Sequence, residues 1–568
     1  MKKIFSIIFF TAALFLLVNI PLKSAAPLPA MGRNGMVVSA SEYASNIGVE
    51  ILRKGGNAVD AAVAAAFALG VVEQYSSGIG GGNFILIYFA ELDTVVAIDG
   101  REVAPKKAER DMFLDKLTGE PDPNLSTTGI LAGGVPGAAA SLCAAVDIFG
   151  SKAVSLSEIL QPSIKLAEEG FIVNRTYFYH LQFAAPKLAL FPASKAVYFK
   201  NDSTTWQVGD TLIQRDLGWS YRQIAESGPG AFYEDAIAEK FVTFEKRNKG
   251  LISAEDLKNY KERYRQPLRG TYRGLEIFSM SPPSSGGVHL IQMLNILEGF
   301  DLAQMGHNSS AYIHTLAEAV KPAFADRAEY LGDPDFIQIP LDTLISKGYS
   351  EIRRKSILPF QPADVQPGVF LPDTSKSHTT HISAMDRWGN LCAITATVNT
   401  TFGSGMTIDG TGIILNNEMD DFTASSGKPN FFGLVGKEAN SIQPGKRPLS
   451  SMTPTIVLKE GKPFMALGSP GGPRIITSVL QTILNVVDFN MDIQEAVSVS
   501  RIHHQWKPDL LYVEGDIPLD VLANLAAKGH RIQLGGVGAT VEAIFYDAET
   551  GFIYGGADPR NEGVAVGY

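Results

Sequence analysis

Cysteine is nearly absent: the 568 residues contain two, Cys143 and Cys392. One bridge at most could form, which excludes a disulfide-dense secreted scaffold. Both thiols sit in apolar runs, 138–146 and 391–398, and read as buried core groups. Charge is also sparse, at 19% of residues, and 49 basic side chains against 59 acidic ones leave a net −10. That balance argues against a nucleic-acid binder. The nine histidines include no HxxxH pair, and His503-His504 are adjacent rather than spaced for chelation, so no metal is expected. There are no heptads, no glycine period of three, no internal repeat and no Pro/Ser linker, which excludes coiled coil and collagen and favours one large unit. GxSxG and the phosphate-binding GxxxxGK[ST] are missing, and Ser425 with Lys428 lacks the SDN and KTG elements that would make it a serine acylase signature. Gly78-Ile79-Gly80-Gly81-Gly82-Asn83 carries Asn where a dinucleotide fingerprint needs its last glycine, and a strand rather than a helix follows.

What is present is globular material: 45% hydrophobic residues, with 55 Gly and 31 Pro, enough for a large core. The first 26 residues stand apart. Lys2 and Lys3 precede an apolar run from Ile4 to Ile20, and Ser24-Ala25-Ala26 offers small residues for cleavage, which reads as a secretory signal peptide cut near Ala25 or Ala26. Its 17 residues, interrupted by Thr11 and Asn19, are short for a membrane anchor. Loss of Lys2, Lys3 and Lys23 takes the net charge from −10 to −13, giving an acidic exported protein, periplasmic or secreted.

Periodicity predicts a strand at 35–40, helices through 45–72 broken at Gly55-Gly56-Asn57, and strands at 83–90 and 94–99. Helices dominate from 137 to about 360, including 157–169, 236–248, 288–298 and 310–330. Strands return from 379, with a helix near 475–487. Strands, then helices, then strands again argue for an α+β, layered sandwich in which distant parts of the chain share sheets. Arg353-Arg354-Lys355 reads as a solvated helix face.

The chemistry concentrates late in the chain. Lys376-Ser377-His378-Thr379-Thr380-His381 opens a β-hairpin that turns at Trp388-Gly389 and returns through Leu391 to Asn399. Asn399-Thr400-Thr401-Phe402-Gly403 follows, then Leu415-Asn416-Asn417-Glu418-Met419-Asp420-Asp421-Phe422, Lys446-Arg447-Pro448-Leu449-Ser450-Ser451-Met452-Thr453-Pro454, and Gly468-Ser469-Pro470-Gly471-Gly472-Pro473-Arg474. Upstream stand Asp99-Gly100-Arg101-Glu102-Val103-Ala104-Pro105, Pro282-Pro283-Ser284-Ser285-Gly286-Gly287 and Ala325-Asp326-Arg327-Ala328-Glu329-Tyr330-Leu331-Gly332-Asp333-Pro334. In this order the motifs resemble the gamma-glutamyltranspeptidase family of N-terminal nucleophile hydrolases, over essentially the whole mature chain.

The resemblance implies a four-layer αββα sandwich, autoprocessed from one precursor at His378–Thr379 into a heavy chain, 27–378, and a light chain, 379–568, that together form one structural unit. Thr379 would be the nucleophile, with its liberated α-amino group as base, because a threonine hydroxyl is weak without an adjacent proton acceptor. Gly471 and Gly472, ahead of Pro473 and a helix start, would supply the oxyanion hole. Arg101 would pair with the donor's α-carboxylate, assisted by Ser450 and Ser451, while Asn399, Glu418 and Asp421 would hold its ammonium. Phe432 lies in the loop over the site, where bacterial relatives often carry Tyr, and the lost phenol would loosen this lid. The implied activity cleaves the γ-glutamyl amide of glutathione and related compounds and passes the acyl group to amino acids, peptides or water, with no metal or organic cofactor. The alternative is an acylase of the same fold acting on glutaryl-type or poly-γ-glutamyl substrates; the lid and the complete donor-binding set argue against it. An exported binding protein that no longer processes would lack Thr379 or the glycines, and both are present.

One expectation needs no family. If Met385 pairs with Leu391 across the turn, Thr379 faces Thr397 with Cβ atoms about 4.5–5.5 Å apart. The resemblance gives Thr397 a supporting role.

Overall fold

The strand Leu391–Thr400 is buried along its whole length, and the molecule is layered around it. A computed structural model describes residues 27–363 and 377–568; the expected signal segment lies outside them. One seven-stranded sheet runs in the order Val564–Gly567, Gly35–Ser39, Ser377–Asp386, Leu391–Thr400, Gly82–Phe89, Thr94–Gly100, Arg263–Arg265. A second runs Ala30–Gly32, Phe552–Ala557, Glu542–Asp547, Lys462–Gly468, Thr455–Lys459, Leu275–Ser279, Leu268–Tyr272. Each sheet draws strands from both sides of Thr379, as the strand–helix–strand order implied.

Alternation along the hairpin separates two cores. Ile382, Ala384, Cys392, Ile394, Ala396 and Val398 face a helical layer, while Met385, Leu391 and Ala393 face the opposing sheet. The helix Ala58–Val72 anchors the first layer. All its residues are buried, which suits a sequence apolar all round. Its start is a capping box in which the Asn57 side chain accepts from Val59 and Asp60 N–H. Asp386 ties that helix to the hairpin, accepting the Ala58 N–H at 3.0 Å and the Trp388 and Asn390 N–H groups within the turn. On the far side, Gly286–Leu297 and Arg474–Val487 cover the second sheet. The order helix, sheet, sheet, helix is the αββα sandwich.

Both cysteines are free and buried. The basic cluster departs from expectation. Arg353 pairs with Asp326 and donates to Tyr349, and Arg354 donates to the Asn295 and Ile296 carbonyls. Of the three, Lys355 alone stays solvated; the helix ends against its neighbours, where Arg354 closes two orphan carbonyls and Arg353 pairs with an acid. Among the described residues no helix is long and apolar enough to cross a membrane.

Candidate active site

The hairpin register places Met385 opposite Leu391 and Thr379 opposite Thr397. Thr379 Oγ1 lies 3.2 Å from Thr397 Oγ1, and Thr397 Oγ1 accepts the Asn399 N–H at 2.8 Å. Asn399 has φ +76°, a left-handed conformation uncommon outside glycine. Its amide nitrogen donates to the Asn417 carbonyl at 3.0 Å, so its amide oxygen is what it offers the site. The ladder slips between Ser377 and Thr379, so the peptide bond expected to be cut sits at an irregular step.

Behind Thr379 on the same face, His381 bridges Thr395 at 2.8 Å and Ser383 at 3.1 Å. Burial pushes its pKa down to about 3, so the ring is neutral. Gly468 makes room for it: a Cβ there would collide with the imidazole. The strand ending at Gly468 leads into Ser469-Pro470-Gly471-Gly472, whose glycines take φ +129° and +57°. A Cβ on Gly471 would stand 2.8 Å from that of Ala539. Among the described residues the N–H groups of Gly471 and Gly472 have no backbone partner. The helix Arg474–Val487 starts directly after, adding the positive end of its dipole.

Arg101, Thr379, Thr397, Asn399, Glu418, Asp421, Phe432, Ser450, Ser451 and Gly472 line one small cavity. The structure thus gathers every sequence-predicted site residue there except Gly471, which borders the adjoining cavity, and His378, whose side chain lies outside the described atoms. Arg101 is fully buried, pairs with Glu418 and Asp421, and donates from Nε to the Pro448 carbonyl at 3.1 Å. Glu102 adds a third carboxylate 3.7 Å from the guanidinium, with neither oxygen hydrogen-bonded among the described residues. Burial works against the Arg101 charge, but Glu418, Asp421 and Glu102 outweigh it and hold the group firmly protonated. Burial also raises all three carboxyls, partly offset by Arg101, with Glu102 at about 7. Three acids face the Arg101 guanidinium, and Arg327 also bears on Asp421, so acids outnumber cations and the site suits an incoming ammonium.

Three distant motifs hold this arrangement. Asp99 accepts the Arg101 N–H at 2.9 Å and lies 3.4 Å from Arg447, whose N–H donates to Asp333 at 2.8 Å. Ser450 donates its N–H to Pro283 and accepts at its carbonyl from both the N–H and the hydroxyl of Ser285. Phe432 is 3% exposed, its carbonyl accepts Gln505 at 3.2 Å, and the neighbouring Phe431 N–H donates to Asp420.

Thr379 also borders a larger cavity of about 510 Å³, lined among others by Glu73, Tyr75, Arg175, His180, Gly471 and Arg474. A cavity of about 790 Å³ elsewhere contains none of the predicted site residues. Sequence reasoning missed Glu73 altogether, and Glu102 stood inside a quoted motif without being given a role.

The model of the family described as "Gamma-glutamyltranspeptidase" matches residues 44–568. The chain is 45% identical over 545 residues to the glutathione hydrolase proenzyme of Escherichia coli strain K12, covering 95% of this chain and 93% of that one. It is 40% identical to the acylase ACY 1 proenzyme of Pseudomonas sp. strain SE83, covering 95% and 94%. Among solved structures, cephalosporin acylase from Bacillus halodurans superposes with TM-score 0.84 at 27% identity, over 97% of this chain and 98% of that one.

Proposed function

The chain belongs to the gamma-glutamyltranspeptidase family, and on that premise we propose that it is an exported, periplasmic or secreted γ-glutamyltransferase and glutathione hydrolase working through a γ-glutamyl–Thr379 ester. The precursor cuts itself between His378 and Thr379, and the 27–378 and 379–568 chains remain one unit. The observation that carries this reading is the meeting of Thr379, Gly472 and a buried set of opposite charges, Arg101 against Glu418 and Asp421, around one cavity. A γ-glutamyl donor has both charges at its α-carbon. Its carboxylate replaces the acids at Arg101, assisted by the Ser450 and Ser451 hydroxyls, and its ammonium meets Glu418, Asp421 and the Asn399 amide oxygen.

With the γ-carbonyl carbon at Thr379, the threonine oxygen attacks and its α-amino group takes the proton. The Gly471 and Gly472 N–H groups receive the oxyanion, and the Thr397 hydroxyl steadies the nucleophile. Collapse breaks the amide C–N bond, and the leaving amine takes the proton held by the α-amino group. Water or an acceptor amine then attacks the ester and returns a proton to the Thr379 oxygen. No metal or organic cofactor enters these steps.

The acylase relatives support a second reading, hydrolysis of a glutaryl-type or poly-γ-glutamyl amide on the same threonine. A glutaryl group lacks the α-ammonium and would leave Glu418 and Asp421 without a cation from the substrate. A γ-glutamyl anilide assayed with and without glycylglycine separates the two. Acceptor-stimulated aniline release is expected. Release that ignores glycylglycine identifies a hydrolase, and negligible release under both conditions refutes the leading reading.

A further inference from the structure

Glu73 follows the last turn of the buried helix Ala58–Val72 and is itself 6% exposed. Its carboxyl accepts the Tyr75 hydroxyl at 2.6 Å and the Thr380 hydroxyl at 3.0 Å. Thr380 adjoins the proposed nucleophile and points to the helical side of the sheet, while Thr379 points between the sheets, so the strand carries one residue toward each. Glu73 and Thr379 line the same cavity. Among the described residues no cationic side chain pairs with Glu73, although a buried carboxylate ordinarily requires one.

The other charged groups near it are accounted for. His180 stacks on the Tyr75 ring, and burial lowers its pKa to about 4, so it is neutral. Glu542 and Glu562, also near this corner, are acids. Of the cavity's arginines, Arg560 is paired with Glu514 and Asp558, Arg474 donates to the Gly536 carbonyl, and Arg175 is exposed at the rim. Burial lifts the Glu73 carboxyl to about 7, held back in part by its two hydrogen bonds.

In the uncut chain the nitrogen of Thr379, which lines this cavity with Glu73, is a neutral amide. Cleavage turns that nitrogen into an ammonium, which supplies the cation Glu73 lacks. We propose that Glu73 is the counter-charge of the Thr379 α-ammonium, a positioning residue that controls when this amino group is free to act as the base. The proposal rests on Thr379 being the N-terminal nucleophile. A carboxylate near an ammonium stabilises its protonated form, so removing the carboxylate lets the amine lose its proton at lower pH.

The test is the pH profile of kcat/KM for a γ-glutamyl anilide, with the cut first checked by N-terminal sequencing. Glu73→Gln is expected to move the ascending limb down by about one pH unit, and Glu73→Asp to restore most of the shift. A limb that stays in place or moves upward overturns the proposal. If Glu73→Gln stays uncut, cyanate carbamoylation of the intact two-chain wild-type protein, with its light chain then read by mass spectrometry, reports the amine directly. A midpoint above the unperturbed α-amino range of about 7.7–8.0 supports the pairing, and one at or below that range refutes it. A purified active protein with no chain beginning at Thr379 defeats the functional reading itself, whatever Glu73 does.

Discussion

Thr397→Val tests the nucleophile's support most cleanly, because it keeps the shape of the side chain and deletes one oxygen. That oxygen lies 3.2 Å from Thr379 Oγ1 and accepts the Asn399 N–H at 2.8 Å. Both ends matter. A hydrogen bond to a group that carries developing charge contributes about 1.5–3 kcal/mol, and about 1.4 kcal/mol is a factor of ten. Self-cleavage and turnover should each slow roughly 10- to 100-fold. The Asn399 N–H, left without its acceptor inside the site, costs about 1–3 kcal/mol more. It bears on a residue already held at φ +76°, so the KM for the donor should rise as well. Conversion of precursor on a denaturing gel gives the first rate, and anilide release by the cut fraction gives the second. Thr397→Ser, which restores the hydroxyl, should recover both. A Val variant that cuts and turns over at wild-type rates would refute the reasoning, as would a Ser variant no better than Val.

Purified active protein should show two bands of roughly 38 and 20 kDa, the smaller beginning at Thr379, and Thr379→Ala should stay uncut and inactive. Arg101→Lys should impair donor use by about 2–5 kcal/mol in kcat/KM, since a point charge cannot reproduce the planar fork that grips the donor carboxylate, while leaving self-cleavage, which does not use the donor pocket, intact; a near-normal donor KM would contradict it. Gly468→Ala drives a methyl into the His381 ring and should cost about 1–3 kcal/mol, read as a lower denaturation midpoint. Because His381 is held neutral with its pKa lowered to about 3, it contributes stability above the ordinary histidine value of about 6.5 that is lost as pH falls from there toward about 3. Placed in the uncut Thr379→Ala chain, His381→Gln should therefore narrow the gap between denaturant midpoints measured at about pH 7 and about pH 4.5.

The hairpin was legible because strict alternation and a turn with Gly at its tip leave one register, and that register alone put two threonine hydroxyls together. The helices at 236–248 and 310–330 were readable to the residue, since periodicity and flanking caps agree there. The donor pocket was legible only through the resemblance: Arg101 and Glu418 are 317 positions apart, and no local pattern links them. Glu102 and Glu73 were hidden for a related reason. A buried acid reads like any surface acid until burial removes its water. Arg354 misled in the opposite direction, because a charge run does not reveal that a helix end will dock its guanidinium on another helix's carbonyls.

The sheets have a consequence for how the molecule can be remade. Gly35–Ser39 is hydrogen-bonded to Ser377–Asp386 on one edge and to Val564–Gly567 on the other, and Gly82–Phe89 pairs with Leu391–Thr400. A cut before Thr379 therefore yields two chains, neither of which can complete a sheet alone. The intact precursor folds by closing loops within one molecule, whereas the cut protein, once unfolded, must bring two molecules together. Its refolding becomes second order and dilution-sensitive, so persistence of the mature form is governed by how slowly it opens rather than by a reversible equilibrium. If the cut falls there, covalent continuity across that one bond speeds the building of the sandwich and is not required to keep it.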